Sequence, residues 1–288
     1  MSDLHEAILG WYDAHQRDLP WRRPEATPWG VMVSEFMLQQ TPVVRVLPMW
    51  KAWMTRWPTP AALAAEPSGE AVRAWGRLGY PRRALRLHAA AAAIVEQHDG
   101  AVPDEYDDLL ALPGVGDYTA AAVASFGFGR RHVVLDTNVR RVFARLLAGH
   151  EFPAPGVTKA ERALAASVLP HDDSAAVWSV AVMELGALVC TAVAPRCDAC
   201  PVAHLCAWRT AGRPTYAGPE RKVQTWAGTD RQCRGRLLAV LRDADGPVHR
   251  SALEAVWDKP DQRDRALRGL VDDGLATQVG PDSFALPG

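Results

Sequence analysis

Four cysteines, Cys190, Cys197, Cys200 and Cys206, fall in one short window with the spacing C-x6-C-x2-C-x5-C. Soft thiolates this close in sequence can enclose one metal centre, which ties the loop that carries them around a common point. Zinc ribbons carry two short C-x2-C knuckles far apart. Here a single knuckle is flanked by two wider gaps, and all four ligands lie in one loop. Structural zinc and a disulfide framework remain open for such a set, but the spacing points first to an iron–sulfur cluster of the 4Fe-4S type. Cys233 stands outside the window and reads as an unpaired thiol. This cysteine usage suits a reducing compartment.

The 288 residues are 48% hydrophobic, enough for two packed domains and a small third unit. The net charge of −1 excludes a global polycation, so any nucleic-acid binding must come from local patches. Arginines do cluster: Arg82, Arg83 and Arg86; Arg130, Arg131, Arg140, Arg141 and Arg145; and Arg221, Lys222, Arg231, Arg234 and Arg236. Each cluster is a candidate phosphate contact, against the plainer reading of a solvated surface. The N-terminal stretch MSDLHEAILGWYDAH lacks the basic start and apolar core of a secretory signal, and no apolar run reaches membrane-spanning length. A cytoplasmic protein without membrane contact is expected.

Alanine, leucine and arginine dominate, and strand-like alternation is scarce. Helical spacing of apolar residues recurs in RALRLHAAAAAIVEQH and ERALAASVL. Thr59-Pro60 and Pro103-Asp104 mark helix starts. The chain therefore reads as nearly all α to about Cys206. A Gly-, Pro- and Thr-rich linker follows over 213–230. The tail, 231–288, reads as helix (CRGRLLAVLRDA), turn (DGPVH), two more helices and a short β-like end (LATQVGPDSFAL), the pattern of a winged-helix-like module or of a plain helical packing unit.

Two further segments carry chemistry. In LPGVGDYTAAAVASFGFG, Gly114 and Gly116 permit backbone angles closed to other residues, and a turn of this kind at a helix start aims N–H groups at a phosphate. In VLDTNVRRV, Asp136 is placed either to cap the helix that follows it or to stabilise developing positive charge on a sugar, and the two roles are compatible. The cysteine loop, the glycine hairpin and this acidic loop together resemble the endonuclease III and adenine-glycosylase superfamily of helix-hairpin-helix DNA repair enzymes. VSEFMLQQTPV, RLGYPRRALRLH and WYDAHQRDLPWR are similar to segments of its MutY branch, and the resemblance covers roughly residues 5–210.

The resemblance implies an all-α, two-lobed glycosylase core with a cluster loop. It implies a cluster domain from residues 1–24 and 131–212 and a helical barrel from 25–130, joined through 213–230 to the winged-helix-like module. Glu35 matches the branch's general acid, against the alternative of an exposed helix glutamate. Asp136 matches the carboxylate that stabilises the sugar cation, and Asn138 the residue that orients it. Tyr118 stands where bifunctional relatives carry a Schiff-base lysine, which implies a monofunctional, hydrolytic enzyme. Gln39, Gln40 and Thr41 would sit at the DNA stack. Leu78 and Tyr80 would wedge beside the opposing base, Gly114 and Gly116 would hold a phosphate, and Arg196, His204 and Arg209 would reach others. Pro81 departs from a second tyrosine. The cofactor would be one 4Fe-4S cluster, and the partner double-stranded DNA with an A:G or A:8-oxoguanine mispair, bound by a monomer. The tail is about half the length of the Nudix-like domain usual in the branch. The competing readings are a glycosylase for thymine, uracil or a damaged base, which Glu35 argues against, and a non-catalytic cluster-containing DNA-binding protein.

Overall fold

The computed structural model describes residues 2–218 and 226–288; Arg221 and Lys222 of the third basic cluster, and part of the expected linker, lie outside the described residues. Among the described residues the chain forms the helices α1 (Ser2–His15), α2 (Pro28–Leu38), α3 (Val43–Arg56), α4 (Pro60–Ala64), α5 (Ser68–Trp75), α6 (Arg82–Gln97), α7 (Tyr106–Ala111) and α8 (Asp117–Phe128). These are followed by α9 (Thr137–Leu146), α10 (Lys159–Val168), α11 (Ala175–Leu188), α12 (Ala207–Thr210), α13 (Asp230–Asp243), α14 (Arg250–Glu254) and α15 (Pro260–Asp272). Three short strands, β1 (Val248–His249), β2 (Thr277–Gly280) and β3 (Ser283–Ala285), lie in the tail.

Local chemistry sets several boundaries. Thr59 caps α4 by accepting from the Ala62 N–H, with Pro60 at the first helical position, as the sequence predicts. Thr158 and Glu161 form a reciprocal capping box on α10. The start expected at Pro103-Asp104 is displaced, because α7 begins at Tyr106 and the Asp104 carboxylate is paired with Arg130 instead.

The chain divides into two compact units. One comprises Met1–Met32, Asp104–Leu110 and Val115–Glu220, and the other Val33–Pro103, Ala111–Gly114 and Arg221–Gly288. In the first, α1, α9, α10 and α11 share a core that includes Leu4, Ile8, Val139, Val142, Val168, Trp178, Val182 and Leu185. The approach of α9 to α11 is close enough that a Cβ on Gly186 would stand 2.7 Å from the Asn138 Cβ. Glu184, fully buried on α11, accepts from Arg17 Nε at 2.7 Å and Arg22 Nη1 at 2.8 Å, which ties the segment after α1 to the core.

In the second unit the alanine face of α6 (Ala84, Ala90, Ala91) packs on α4 and α5. Trp53 meets Trp57 and Trp75 edge-on, with ring centroids 4.8 and 5.5 Å apart. The tail belongs to this unit. Its order is helix–strand–helix–helix–strand–strand, and the sheet is antiparallel in the order β1-β3-β2, the arrangement of a winged helix. The first strand was missed in sequence: Pro247-Val248-His249 reads as a turn, and only pairing with Phe284 and Ser283 makes Val248–His249 a strand.

Burial raises the Glu184 carboxyl pKa, but Arg17 and Arg22 outweigh it and hold the group at about 2, against an ordinary 4.5. A depressed carboxylate contributes stability above its unfolded value and loses it as pH falls toward the folded one. The effect is about 3 kcal/mol lost between pH 4.5 and 2. Urea unfolding of Glu184→Gln should show lower stability at pH 7 and a flatter decline across that window. A decline as steep as that of the unsubstituted protein would remove Glu184 from the acid response.

Candidate functional site

Glu35 lies on α2 with 5% of its surface exposed, so the exposed-glutamate alternative fails. Just beyond, α2 ends in a tight turn in which Gln40, exposed, has a φ of 54°. A non-glycine residue there is uncommon and costs about 1 kcal/mol or more unless its surroundings enforce it. The enforcing group is Arg83. Its guanidinium is buried and donates to the carbonyls of Phe36 (2.8 Å), Met37 (3.1 Å) and Gln39 (2.6 Å), to Thr41 Oγ1 (2.9 Å) and to the carbonyl of Gly79 (3.1 Å). A cation is favoured at a helix C-terminus, where carbonyls lack partners. Burial pulls the Arg83 pKa down to about 10, still fully charged at neutral pH.

The same arginine fixes the turn after α5. Tyr80, exposed, also has a positive φ, of 48°, and Arg83 lies 5.5 Å from its ring centroid. Among the four described non-glycine residues with positive φ, Gln40 and Tyr80 are thus two held in place by one side chain. Leu78 and Thr41 differ from their neighbours. Leu78 is 3% and Thr41 6% exposed, so in this conformation both face inward, and the Thr41 hydroxyl donates to the Leu78 carbonyl at 3.3 Å.

Gly114 has a φ of 75°, and a Cβ there would lie 2.5 Å from the Arg86 Cβ, so both backbone and packing demand glycine. Gly116 caps α8 with an ordinary φ, and a Cβ would meet nothing within 4 Å. Among the described residues no packing accounts for glycine there, and the space a Cβ would take is open. Tyr118, in the first turn of α8, packs against a small apolar cluster that includes Ala121, Ala122 and Val134.

In the first unit, Asp136 caps α9. One carboxylate oxygen accepts from the Val139 N–H at 2.6 Å and the other from the Asn138 side-chain amide at 2.7 Å. Burial raises its pKa, and these two donors oppose that shift. Asn138 in turn accepts from Arg141, which also donates to the carbonyls of Gly186 (2.7 Å) and Cys190 (2.8 Å). A chain of polar contacts thus runs from Asp136 to the first cysteine of the loop.

The loop begins where α11 ends. Cys197 opens one 3₁₀ turn, and Cys206 precedes α12. All four cysteines line one cavity with Arg145, Arg196, Trp208 and Arg209. Arg145 is 1% exposed; it donates to Thr191 and Ala192 carbonyls and lies 4.9 Å from the Trp208 ring centroid. Among the described residues no three His, Cys, Asp or Glu side chains stand close enough to hold a single metal ion. A tetrahedral ion with bonds of about 2.3 Å would draw four sulfurs tightly together. Four thiolates that share one cavity can each ligate a separate iron of a cubane, and the buried Arg145 cation offsets their charge. Burial pushes the Cys190 and Cys200 thiols up, Cys200 to about 11, so without a ligated metal these groups are held as neutral thiols.

The second arginine cluster is largely engaged within the fold, with Arg130 and Arg131 still exposed. Arg141 and Arg145 are buried, Arg140 pairs with Glu161, Arg130 with Asp104, and Arg131 donates to the Leu169 and Pro170 carbonyls. Arg83 leaves the first cluster for the same reason. Sequence reasoning gave none of these three buried arginines its positioning role. The available signal was spacing: Asn138 and Arg141 are three apart on one helix face.

Residues 33–167 match the family described as HhH-GPD superfamily base excision DNA repair protein, and residues 190–206 match the iron–sulfur binding domain of endonuclease III. The adenine DNA glycosylase of Mycolicibacterium smegmatis is 54% identical over 290 residues, 100% of this chain and 97% of that protein. That of Mycobacterium tuberculosis is 53% identical over 98% of this chain and 92% of its own length. The chain belongs to the adenine DNA glycosylase family. The similarity extends through residues 231–288, so the short tail is shared with these relatives. A thermostable thymine-DNA glycosylase structure covers 72% of this chain and 95% of its own with a TM-score of 0.65 at 25% identity. The cofactor of this family member is one 4Fe-4S cluster.

Protein purified anaerobically should contain about four irons and four sulfides per chain. Cys200→Ser should lose most of the iron. Cys233→Ser, which alters a buried residue of α13 in the other unit, should keep it. One zinc without sulfide would overturn the cluster.

Proposed function

We propose that the protein is a monofunctional glycosylase that flips out and removes adenine mispaired with guanine or 8-oxoguanine in double-stranded DNA, acting as a monomer. The observation that carries this reading is the pair of carboxyl groups, Glu35 buried and Asp136 half-buried, in a chain 54% identical to an adenine DNA glycosylase. Adenine leaves poorly as an anion. A carboxylic acid that gives its proton to adenine N7 lets the C1′–N9 bond break with a neutral base departing. Positive charge then develops on the deoxyribose, and an ionised carboxylate stabilises it. Water adds to C1′ and its proton is released.

Asp136 suits the second role. Two donors fix its carboxylate, and it caps α9, where the positive end of the helix favours the ionised form. Glu35 suits the first, with its burial removing competing water. Tyr118 has no amine to form a Schiff base, which supports hydrolysis over lyase chemistry. The exposed Gln40 and Tyr80 support contact with the DNA stack, and the open space at the missing Cβ of Gly116 supports close approach of a phosphate to this backbone. The cluster holds its loop in place when bound; Arg196 and Arg209 line that loop, and His204 lies within it, for further phosphates. No described helix is long and apolar enough to cross a membrane.

Asn caps helices as well as Asp does, so Asp136→Asn separates the two roles of this residue. Thermal stability should be retained while single-turnover excision from A:8-oxoguanine duplex falls about 10²–10³-fold. Full activity would confine Asp136 to capping. Glu35→Gln should bind the same duplex and cut excision by about 10²–10⁴-fold. Because burial raises the Asp136 pKa, excision should decline on acidification at a pH above the ordinary aspartate value of 3.8. Borohydride should trap no substantial enzyme–DNA adduct, and efficient trapping would sink the hydrolytic reading.

A further inference from the structure

The turn between α5 and α6 is strained and fully hydrogen-bonded. Gly76, Gly79 and Tyr80 have φ of 53°, 86° and 48°. Every carbonyl from Gly76 to Tyr80 has a donor. Arg77 receives from Arg45, Leu78 from the Thr41 hydroxyl, Gly79 from Trp75 Nε1 (2.9 Å) and Arg83 (3.1 Å), and Tyr80 from the Arg83 N–H (3.0 Å). Four of the five carbonyls are thus held from residues 41–83. The fifth, Gly76, is held by Arg242 Nη1, from α13 of the C-terminal module.

Arg242 is part of a reciprocal clasp. Its Nε donates to the Val72 carbonyl at 2.9 Å, while Arg73 of α5 donates back to the carbonyls of Arg242 and Ala244, the latter at 2.8 Å. Each guanidinium thereby caps the C-terminal end of the other's helix, where the dipole favours a cation. The module grips the far side of the turn as well. Asp273, at the end of α15, bridges Arg234 and Arg82, the first residue of α6. At the start of α5 the Gly69 N–H donates to the Pro287 carbonyl at 2.8 Å, and a Cβ on Gly69 would lie 2.3 Å from that oxygen.

The alternative role of the module, a phosphate clamp built on the arginines of α15, loses most of its donors. Arg263 pairs with Glu254 and Arg265 with Asp230, leaving Arg268 exposed.

We propose that the C-terminal module is an intramolecular brace for the Tyr80 turn, and that Arg242, with Asp273, is a positioning residue for mispair recognition that touches no DNA itself. This rests on the reading of Tyr80 as a DNA contact given above. The brace holds the two ends of a turn whose positive φ values relax without enforcement. Loss of the brace therefore loosens the Gly76 end of the turn and leaves Arg83 alone to hold Tyr80.

The test uses the full-length, cluster-loaded protein. Arg242→Met keeps the apolar stem and removes the donors; Arg242→Lys keeps one cation; Asp273→Asn is a milder change at the other end; Arg268→Ala probes the clamp. Amide hydrogen exchange is followed in a peptide covering residues 76–81, alongside affinity for A:8-oxoguanine and fully paired duplexes. For Arg242→Met we expect faster exchange in that peptide and affinity for the mispair lower by about tenfold, with paired-duplex affinity unchanged. Arg242→Lys should recover part of both, and Asp273→Asn should show a smaller loss of the same kind. Unchanged exchange in both Arg242→Met and Asp273→Asn overturns the brace, whether or not Arg242→Met alters module folding. So does a uniform loss of affinity in Arg268→Ala with a flatter salt dependence, which is the signature of a clamp. Hydrogen exchange needs no substrate, so absence of adenine excision by the unsubstituted protein would sink the proposed activity while leaving the brace to be judged on exchange alone.

Discussion

A single buried guanidinium organises the second compact unit. Arg83 inserts among carbonyls that α2 leaves unpaired at its C-terminal end and reaches the Gly79 carbonyl with its remaining donors. Burying a cation is costly unless its donors are satisfied. Five acceptors satisfy this one, with only Nε left unpaired. Because the acceptors come from two turns, the cation cannot be satisfied unless both turns hold their strained conformations. Gln40 and Tyr80, the exposed residues of those turns, inherit their positions from it.

The first unit uses the same device around the cluster. Arg141 and Arg145 face inward, where one joins Asn138 to the Cys190 carbonyl and the other shares the cysteine cavity. The planar fork of arginine suits this work, since several carbonyls at different angles can be met by one rigid group. Asp136 is fixed at one end of the arrangement and the cysteine loop at the other. Asp136 and the start of the cysteine loop are therefore joined by one continuous set of polar contacts, with Gly186 allowing α11 to approach Asn138.

The tail extends the principle. Arg73 and Arg242 cap each other's helices, and the module meets α5 through backbone acceptors and the start of α6 through the Arg82–Asp273 ion pair. A winged helix is a common DNA-binding arrangement, yet here most of the arginines of α15 are spent on carboxylates of the module itself. Its order of elements is therefore a poor guide to its role, which follows from what its side chains meet.

Much was legible in the sequence because it is local. The cysteine spacing, the Gly114 turn, the Thr59 and Asp136 caps and the helical periodicity each depend on residues a few positions apart, and each appears where the sequence puts it. The family motifs named Glu35 and Asp136, and the chain's membership in the adenine DNA glycosylases follows from the same segments. The role of the buried arginines is not local. Arg83, grouped by sequence with Arg82 and Arg86, finds Phe36 47 residues away, and Arg242, which no sequence pattern singles out, finds Gly76 166 residues away. An arginine looks the same in sequence whether it faces phosphate or carbonyl. Strand β1 was missed for a related reason, since two residues become a strand only when a partner 34 or more positions later supplies the ladder. The order of residues along the chain already carries the donor groups, the four thiols of the cysteine loop and the side chains of Glu35, Asp136 and Tyr118. Which cations are spent inside the fold emerges with packing alone, because it depends on which carbonyls the packed helices leave unpaired.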